Sequence, residues 1–447
     1  MGYRNLREFI DFLESQNELH YIDVSVNRDL EISEITDRAV KSGGPALYFR
    51  NVEGFSIPIV TNIFGTHQRM AWALGVESSE ELTQKVRDIL GIVKTPPESL
   101  FDKLKILKDM ADLAKTQPKT ISSGPCQEVV KMGLEADLNS LPHLKCWPDD
   151  GGRFITLPLV ISRDPKSGKR NVGTYRMQVY DSHTAGMHWQ SHKVGASHYR
   201  TGELQNLEKL EVAVALGADP TTMWTGALPL PPDMDEIAVS GVISNSSVQM
   251  VKCKTIDLEV PAHAEMILEG YVVPGELREE GPFGDHTGYY SLEDDYPVFH
   301  LTAITHKKDP IYPATVVGRP PSEDFFMGKA VERLMLPALQ LTLPEVVDIN
   351  MPAEGVFHNL VIVSMKKEYP GHTRKVMNAI WGLGLMMLAK GIIIVDENVN
   401  VQDLSEVAWR VSSNINPNTD LVITEGPVDD LDHSSPTPKY GSKLGID

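Results

Sequence analysis

Leu6, Phe9, Ile10 and Leu13 recur at helical spacing, so the chain opens on an amphipathic helix. Short apolar runs at 46–49 and 57–60 read as strands, and helical texture returns to about Gly91. Residues 98–115, ESLFDKLKILKDMADLAK, predict a charged helix framed by Pro96-Pro97 and Pro118, placed like a linker. Residues 1–115 therefore read as a small α/β domain with its linker helix. From 116 to 325 the texture changes. Apolar runs at 156–162, 212–216 and 298–304 alternate with Gly, Pro, Asp and Ser, the pattern of a β-rich domain closing toward a barrel. Residues 326–447 alternate again: strand 360–365, helix 372–388, strand 391–395, helix 403–412 and strand 421–424. That βαβαβ order predicts a parallel sheet. The whole is a mixed α+β and α/β chain, without internal repeats or low-complexity segments.

Composition narrows the partners. The 447 residues suffice for two or three domains, and 61 acids against 42 Lys plus Arg give a net charge of -19. Such a chain lacks the basic face that a nucleic acid or an anionic membrane requires. Cys126, Cys146 and Cys253 are an odd, scattered set without CxxC, which fits free thiols in a reducing compartment. The first residues carry no apolar signal region, and Leu6 breaks the myristoylation pattern. The most apolar stretch, 380–395, is too short to span a bilayer and carries Lys390. A cytoplasmic location is expected. Neither GxGxxG nor GxxxxGK[ST] opens a helix, so the common nucleotide fingerprints are absent.

The chemistry concentrates in the β-rich middle. EGPFGDHTGYY, residues 280–290, mounts Glu280 and Asp285 on a turn stiffened by Pro282 and glycines. A polar surface turn is the plain alternative. NVGTYRMQVYD supplies Asn171 and Arg176, and the guanidinium of Arg176 matches a carboxylate bidentately. With Glu280 and Asp285 as partners, Arg176 is either a structural ion pair or a device that drives two proton affinities apart. In the second case one acid stays ionised and the other holds a transferable proton. GMHWQSHKVGASHYR offers His188, His192 and His198, and LPLPPDMDEIAVSG leads to Glu236. HExxH is missing, which argues against hydrolytic zinc. Asn171, Glu236 and one imidazole would suit a harder ion such as manganese or magnesium.

Taken together, NVGTYR, SHKVGASHYR, VAVALGADP, VVPGELREEGPFGDHTGYYS, VVGRPPSED and GSKLGID resemble the UbiD family of prenylated-flavin-dependent decarboxylases. The likeness covers nearly the whole chain and is nearest the bacterial polyprenyl-hydroxybenzoate branch. It implies an N-terminal α/β domain, a split barrel that holds the flavin, and a C-terminal α/β oligomerisation domain. The family's catalytic trio falls on Arg176, Glu280 and Asp285, with Asp285 as proton donor and Glu280 as the partner of Arg176. Members carry Asp or Glu at the second acid; here it is the shorter one. The family's divalent ion, manganese or magnesium, maps to Asn171, His192 and Glu236, with His188 and His198 competing for the place of His192. Potassium is a further expected ion.

By the same resemblance, prenylated FMN is contacted by Thr174, Tyr175, Arg176, His188, Trp189, Gln190, Lys193 and Val194. Gly226, Ala227, Leu228 and Pro229 form a further contact, and Lys443 matches a phosphate-contacting lysine. The implied activity is reversible, non-oxidative decarboxylation of an aromatic or α,β-unsaturated acid such as a hydroxybenzoate, with the modified flavin as electron sink. Furan or pyrrole acids are the alternative substrates, and a non-catalytic flavin-binding protein is the alternative class. The expected partners are a small aromatic acid, carbon dioxide and a flavin prenyltransferase that supplies the cofactor. The chain would form a homodimer or homohexamer, and a prenylated substrate would bring it to the membrane surface.

Overall fold

The computed structural model describes residues 2–94, 111–231 and 234–447. The charged helix expected over 98–115 lies largely outside the described residues, and 111–115 are helical. Two compact units are present. One draws on Met1–Ser78, Pro96–Gly318 and Ser322–Met327, the other on Ser79–Thr95, Arg319–Pro321 and Gly328–Asp447. Among the described residues, no helix is long and apolar enough to cross a membrane.

The first unit begins with the helix Leu6–Ser15. Asn5 caps it by accepting from the Glu8 N–H at 3.0 Å, and the helix buries Leu6, Phe9, Ile10 and Leu13. A four-stranded sheet follows in the order Leu19–Ile22, Ala46–Phe49, Ile59–Thr61 and Tyr312–Pro313. Its fourth strand pairs parallel with Ile59–Thr61 and comes from far along the chain. The expected first domain is thus completed by residues beyond 300, because a two-residue strand leaves no periodicity to detect.

The main body of this unit is a nine-stranded antiparallel sheet. Its order is Arg153–Ile155, Met177–Val179, Thr184–Gly186, Asp294–His306, Met266–Glu280, Leu210–Leu216, Leu159–Arg163 and Arg170–Gly173; Val129–Met132 also pairs with Asp294–His306. The path does not close on itself, so the sheet is a curled half-barrel. Apolar residues alternate onto its inner face: Val212, Val214 and Leu216 pack with Met266, Leu268, Phe299 and Ile304 in one buried core. The pairing of the two longest strands shifts register at Glu269/Gly270. A Cβ on Gly270 would lie 2.2 Å from the His300 carbonyl oxygen, so the bulge demands glycine. These two strands run from Met266 to Glu280 and back from Asp294, and the turn between them carries the EGPFGDHTGYY residues.

The second unit holds a five-stranded sheet ordered Val346–Asn350, Leu360–Met365, Gly391–Asp396, Tyr440–Ile446 and Leu421–Pro427. The three middle strands run parallel, and both outer pairings are antiparallel. The expectation of a wholly parallel sheet is therefore corrected. Tyr440–Ile446 inserts between Gly391–Asp396 and Leu421–Pro427, and its alternating exposed and buried residues are too polar to read as a strand. The helix expected over 372–388 ends at Trp381; Gly382 caps it and the chain continues as a short 3₁₀ turn, Gly384–Leu388.

Phe299 is fully buried in the half-barrel core. Phe299→Ala is expected to cost about 3–5 kcal/mol through lost burial and a cavity, measured as a lowered urea midpoint. A loss below 1 kcal/mol would mean that the half-barrel core closes over the gap.

Candidate active site

Arg176 sits just before the strand Met177–Val179, and Glu280 ends the strand Met266–Glu280. The sheet therefore places a guanidinium and a carboxylate on neighbouring scaffold, and the turn after Glu280 returns Asp285 to the same point. Arg176 Nε donates to Glu280 Oε1 at 2.8 Å and Nη2 to Oε2 at 3.0 Å, a bidentate pair. Nη1 of the same guanidinium donates to Asp285 Oδ2. Nη2 also reaches Ser291 Oγ at 3.3 Å, and the guanidinium carbon stands 4.5 Å from the centre of the Phe283 ring. The Glu280 side chain is wholly buried; those of Arg176 and Asp285 are 8% and 11% exposed.

Two imidazoles complete the cluster. His188 Nδ1 lies 3.1 Å from Glu280 Oε2. Burial, and then the charge of Arg176, lower the proton affinity of His188. The ring is therefore neutral, with its Nδ1 proton on Glu280 and its Nε2 left as an acceptor. On the other side, the backbone N–H of His286 donates to Asp285 Oδ1 at 2.7 Å, and its Nδ1 lies 2.7 Å from the same oxygen.

The electrostatics depart from the sequence expectation. Burial alone would raise Glu280, but the His188 hydrogen bond and the Arg176 charge outweigh it and hold the acid at about 2. Burial would likewise raise Asp285, and His286 followed by Arg176 hold it well below the usual carboxylate range. Both acids are ionised at rest. Arg176 does not drive their affinities apart, because its fork serves both at once.

The remaining expected residues gather beside this cluster. The His188 N–H donates to the Arg176 carbonyl at 3.3 Å, the Thr174 N–H to the Gly226 carbonyl at 2.9 Å, and the Gly195 N–H to the Tyr175 hydroxyl at 3.4 Å. These bonds bring Thr174–Arg176, His188–Gln190, Lys193–Val194 and the Gly226–Pro229 corner together. Trp189 packs edge-on against Tyr175, with ring centres 6.5 Å apart. Asn171 and Glu236 are both buried, and Glu236 Oε2 accepts from the Val172 N–H at 2.9 Å. Burial pushes Glu236 up to about 7. Asn171, Val194, His198 and Glu236 line one cleft of about 110 Å³, and His192 is not among its lining residues. His198 in turn pairs with Ser162 Oγ at 2.9 Å. Lys443 lies in the second unit, where it is buried, donates to the Met387 carbonyl, and donates to the Ala389 carbonyl at 2.9 Å.

Asn171 Nδ2, Thr174 Oγ1, His188 Nε2 and Trp189 Nε1 are buried without a hydrogen-bond partner in the protein. Buried polar groups are ordinarily satisfied. Three of these atoms lie within the joined segments and that of Asn171 in the cleft that Val194 also lines, and together they fit a polar cofactor that offers both donors and acceptors. Asn171 and Glu236 add oxygen ligands for a hard divalent ion. His286 and Ser291 were not among the sequence candidates. The adjacency of His286 to Asp285 was a usable signal, whereas nothing marks Ser291.

The half-barrel thus buries an Arg–Glu–Asp cluster, and the cleft lined by Asn171 and Glu236 is polar. The chain belongs to the UbiD family of carboxy-lyases. The profile of the 3-octaprenyl-4-hydroxybenzoate carboxy-lyase Rift-related domain matches residues 119–320, and the N-terminal and C-terminal domains of the same carboxy-lyase match 10–89 and 325–447. An uncharacterized protein of Archaeoglobus fulgidus is 50% identical over all of this chain and 92% of its own length. Vanillic acid decarboxylase of Sedimentibacter hydroxybenzoicus, in closed form, superposes with TM-score 0.89 at 27% identity, covering 100% of this chain and 92% of that one. An evolved dimeric form of the UbiD-class enzyme HmfF from Pelotomaculum thermopropionicum, solved with prenylated FMN, gives TM-score 0.83 at 26% identity, covering 100% and 94%.

Both acids are depressed in the folded protein. Their contribution to stability is therefore complete above the ordinary carboxylate range. It is lost as pH falls through the folded values, from 4.5 toward about 2 for Glu280. Arg176→Ala leaves two buried carboxylates without their cation and is expected to cost about 3–5 kcal/mol at neutral pH. Denaturant curves at pH 7 and 4 check both points: the deficit of the variant shrinks at the lower pH, where its unpaired acids take up protons. An equal deficit at both pH values would contradict the ionised pair.

Proposed function

We propose that this chain is a prenylated-FMN-dependent, reversible decarboxylase of an aromatic or α,β-unsaturated carboxylic acid of hydroxybenzoate type. The observation that supports it best is the single buried guanidinium shared by Glu280 and Asp285. A pure binder has no use for two acids held on one fork. Thr174, Tyr175, His188, Trp189, Gln190, Lys193, Val194 and the Gly226–Pro229 corner would hold the flavin. Asn171 and Glu236, with His192 or His198, would hold manganese or magnesium against its phosphate, with potassium as a further ion. When bound, the prenylated flavin supplies the electron sink for loss of carbon dioxide.

The residues of the chain govern the proton. An incoming carboxylate competes for Arg176, so substrate entry takes part of the cation away from one acid and adds a negative charge beside it. Both effects raise that acid's proton affinity in a dry site. Asp285 is the acid released, because it takes one guanidinium nitrogen whereas Glu280 takes two. Asp285 then takes up one proton from solvent water as its affinity rises and delivers it to the carbon left by carbon dioxide, and Glu280 stays ionised on Arg176. Furan and pyrrole acids are the second substrate class, carried over from the family resemblance. A flavin prenyltransferase supplies the cofactor, the division at 115 and 325 marks three domains, and a homodimer or homohexamer works in the cytoplasm.

Asp285→Asn keeps shape and hydrogen bonding but removes the transferable proton. Its kcat is expected to fall by about 100- to 10,000-fold with cofactor retained. A variant within about tenfold of the parent, short of the usual loss for a missing general acid, would move the donor role to Glu280 or water. Glu236→Gln is expected to release flavin during gel filtration while keeping the thermal midpoint within a few degrees. Normal flavin retention by this variant in chelator-treated buffer would contradict the metal assignment.

A further inference from the structure

The turn that carries Glu280 and Asp285 has no regular structure to hold it, so its backbone groups need other partners. Gly281 N–H donates to Gln178 Oε1 at 2.7 Å, and the Pro282 carbonyl accepts from Gly151 N–H at 2.7 Å. Phe283 N–H donates to Ser291 Oγ at 3.1 Å, and Asp285 N–H donates to the Tyr289 carbonyl at 3.0 Å. Gly284 N–H, directly before Asp285, goes elsewhere. It donates at 2.7 Å to Asp150 Oδ1, from a loop more than a hundred residues upstream.

Asp150 is 3% exposed, and its other oxygen accepts from Cys146 N–H at 3.0 Å and Trp147 N–H at 2.8 Å. One carboxylate thus ties the 146–150 loop to the catalytic turn. The Trp147 indole completes the seat. Its Nε1 donates to the Val317 carbonyl at 2.9 Å, and its ring lies so close to Gly284 that an added Cβ would stand 2.1 Å from it. No larger residue fits there. Asp150, Cys146 and Trp147 are neither hydrogen-bond partners of Arg176 nor lining residues of the Asn171–Glu236 cleft.

We propose that Asp150 is a positioning residue for the proton donor, clamping the Gly284 amide so that Asp285 meets the Arg176 fork. Its catalytic consequence rests on the decarboxylase reading given above; its geometry does not. A carboxylate suits the task because it offers only acceptors to three N–H groups. An amide in its place points an NH₂ at one or two of those donors and must release either the turn or the loop. A displacement of about 1 Å in a catalytic group costs about 100-fold in rate. The expected signature of Asp150→Asn is therefore a lower kcat at unchanged KM and unchanged flavin content.

Two measurements test this. The first is amide hydrogen exchange of residues 281–291, followed by mass spectrometry on flavin-free protein. The Gly284-containing peptide is expected to exchange faster in Asp150→Asn while peptides of the Leu210–Leu216 strand stay protected; unchanged exchange overturns the clamp. The second is a double-mutant cycle on cofactor-loaded enzyme. The loss of about 100-fold is expected in the parent and nearly absent in the Asp285→Asn background, since the donor it positions is gone. Equal losses in both backgrounds would show general destabilisation and overturn the assignment. Should Asp150→Asn fail to fold, Asp150→Glu, which keeps the charge but shifts it by a methylene, carries the same two expectations. If the parent enzyme turns over no acid at all, the decarboxylase reading fails, and the exchange result still decides the clamp.

Discussion

One buried guanidinium organises this molecule's chemistry. Arg176 pays its desolvation cost only because Glu280 and Asp285 both lie on it, and each acid in turn is tolerated only because Arg176 is there. Remove Arg176 and two uncompensated carboxylates are left in the half-barrel. The surrounding scaffold holds the cluster from several sides. The two longest strands of the sheet end and begin beside the cluster, and His188, His286, Ser291 and Phe283 each fix one side of it.

The same interaction gives the site its logic. A resting site with both acids ionised is a poor proton donor, so a proton is not spent before substrate arrives. A substrate carboxylate is itself an anion that Arg176 can bind. In the proposed reaction, binding and donor activation would both follow from one competition for one cation. Asp285 makes fewer guanidinium contacts than Glu280, and His286 supplies a second hydrogen-bond partner on its other oxygen. Glu280, bidentate on Arg176 and bonded to His188, keeps the guanidinium in place while that exchange occurs.

Much of this was legible in the chain. Arg176, Glu280 and Asp285 stood out because a guanidinium in a β-rich region needs acidic partners, a Pro-Gly turn offers two, and the family resemblance assigns all three. The half-barrel was legible from apolar alternation, and the second unit from its helix and strand periods. Other features were hidden for physical reasons. Tyr312–Pro313 joins the first sheet through only two residues, and Tyr440–Ile446 carries Gly, Ser and Lys through a sheet interior. Asp150 acts through backbone N–H groups, which no side-chain pattern records. Spacing alone does not say which of His188, His192 and His198 faces Asn171 and Glu236; His198 lines their cleft.

The most direct test of the account is solvent deuterium incorporation by protein loaded with prenylated FMN, screened over hydroxybenzoic, cinnamic, furoic and pyrrole carboxylic acids. Carbon dioxide release is expected from at least one acid, with a single deuterium at the carbon that lost it, and none from the same protein loaded with ordinary FMN. Fully loaded protein that releases carbon dioxide from no acid of these classes, or equal turnover with ordinary FMN, would contradict it.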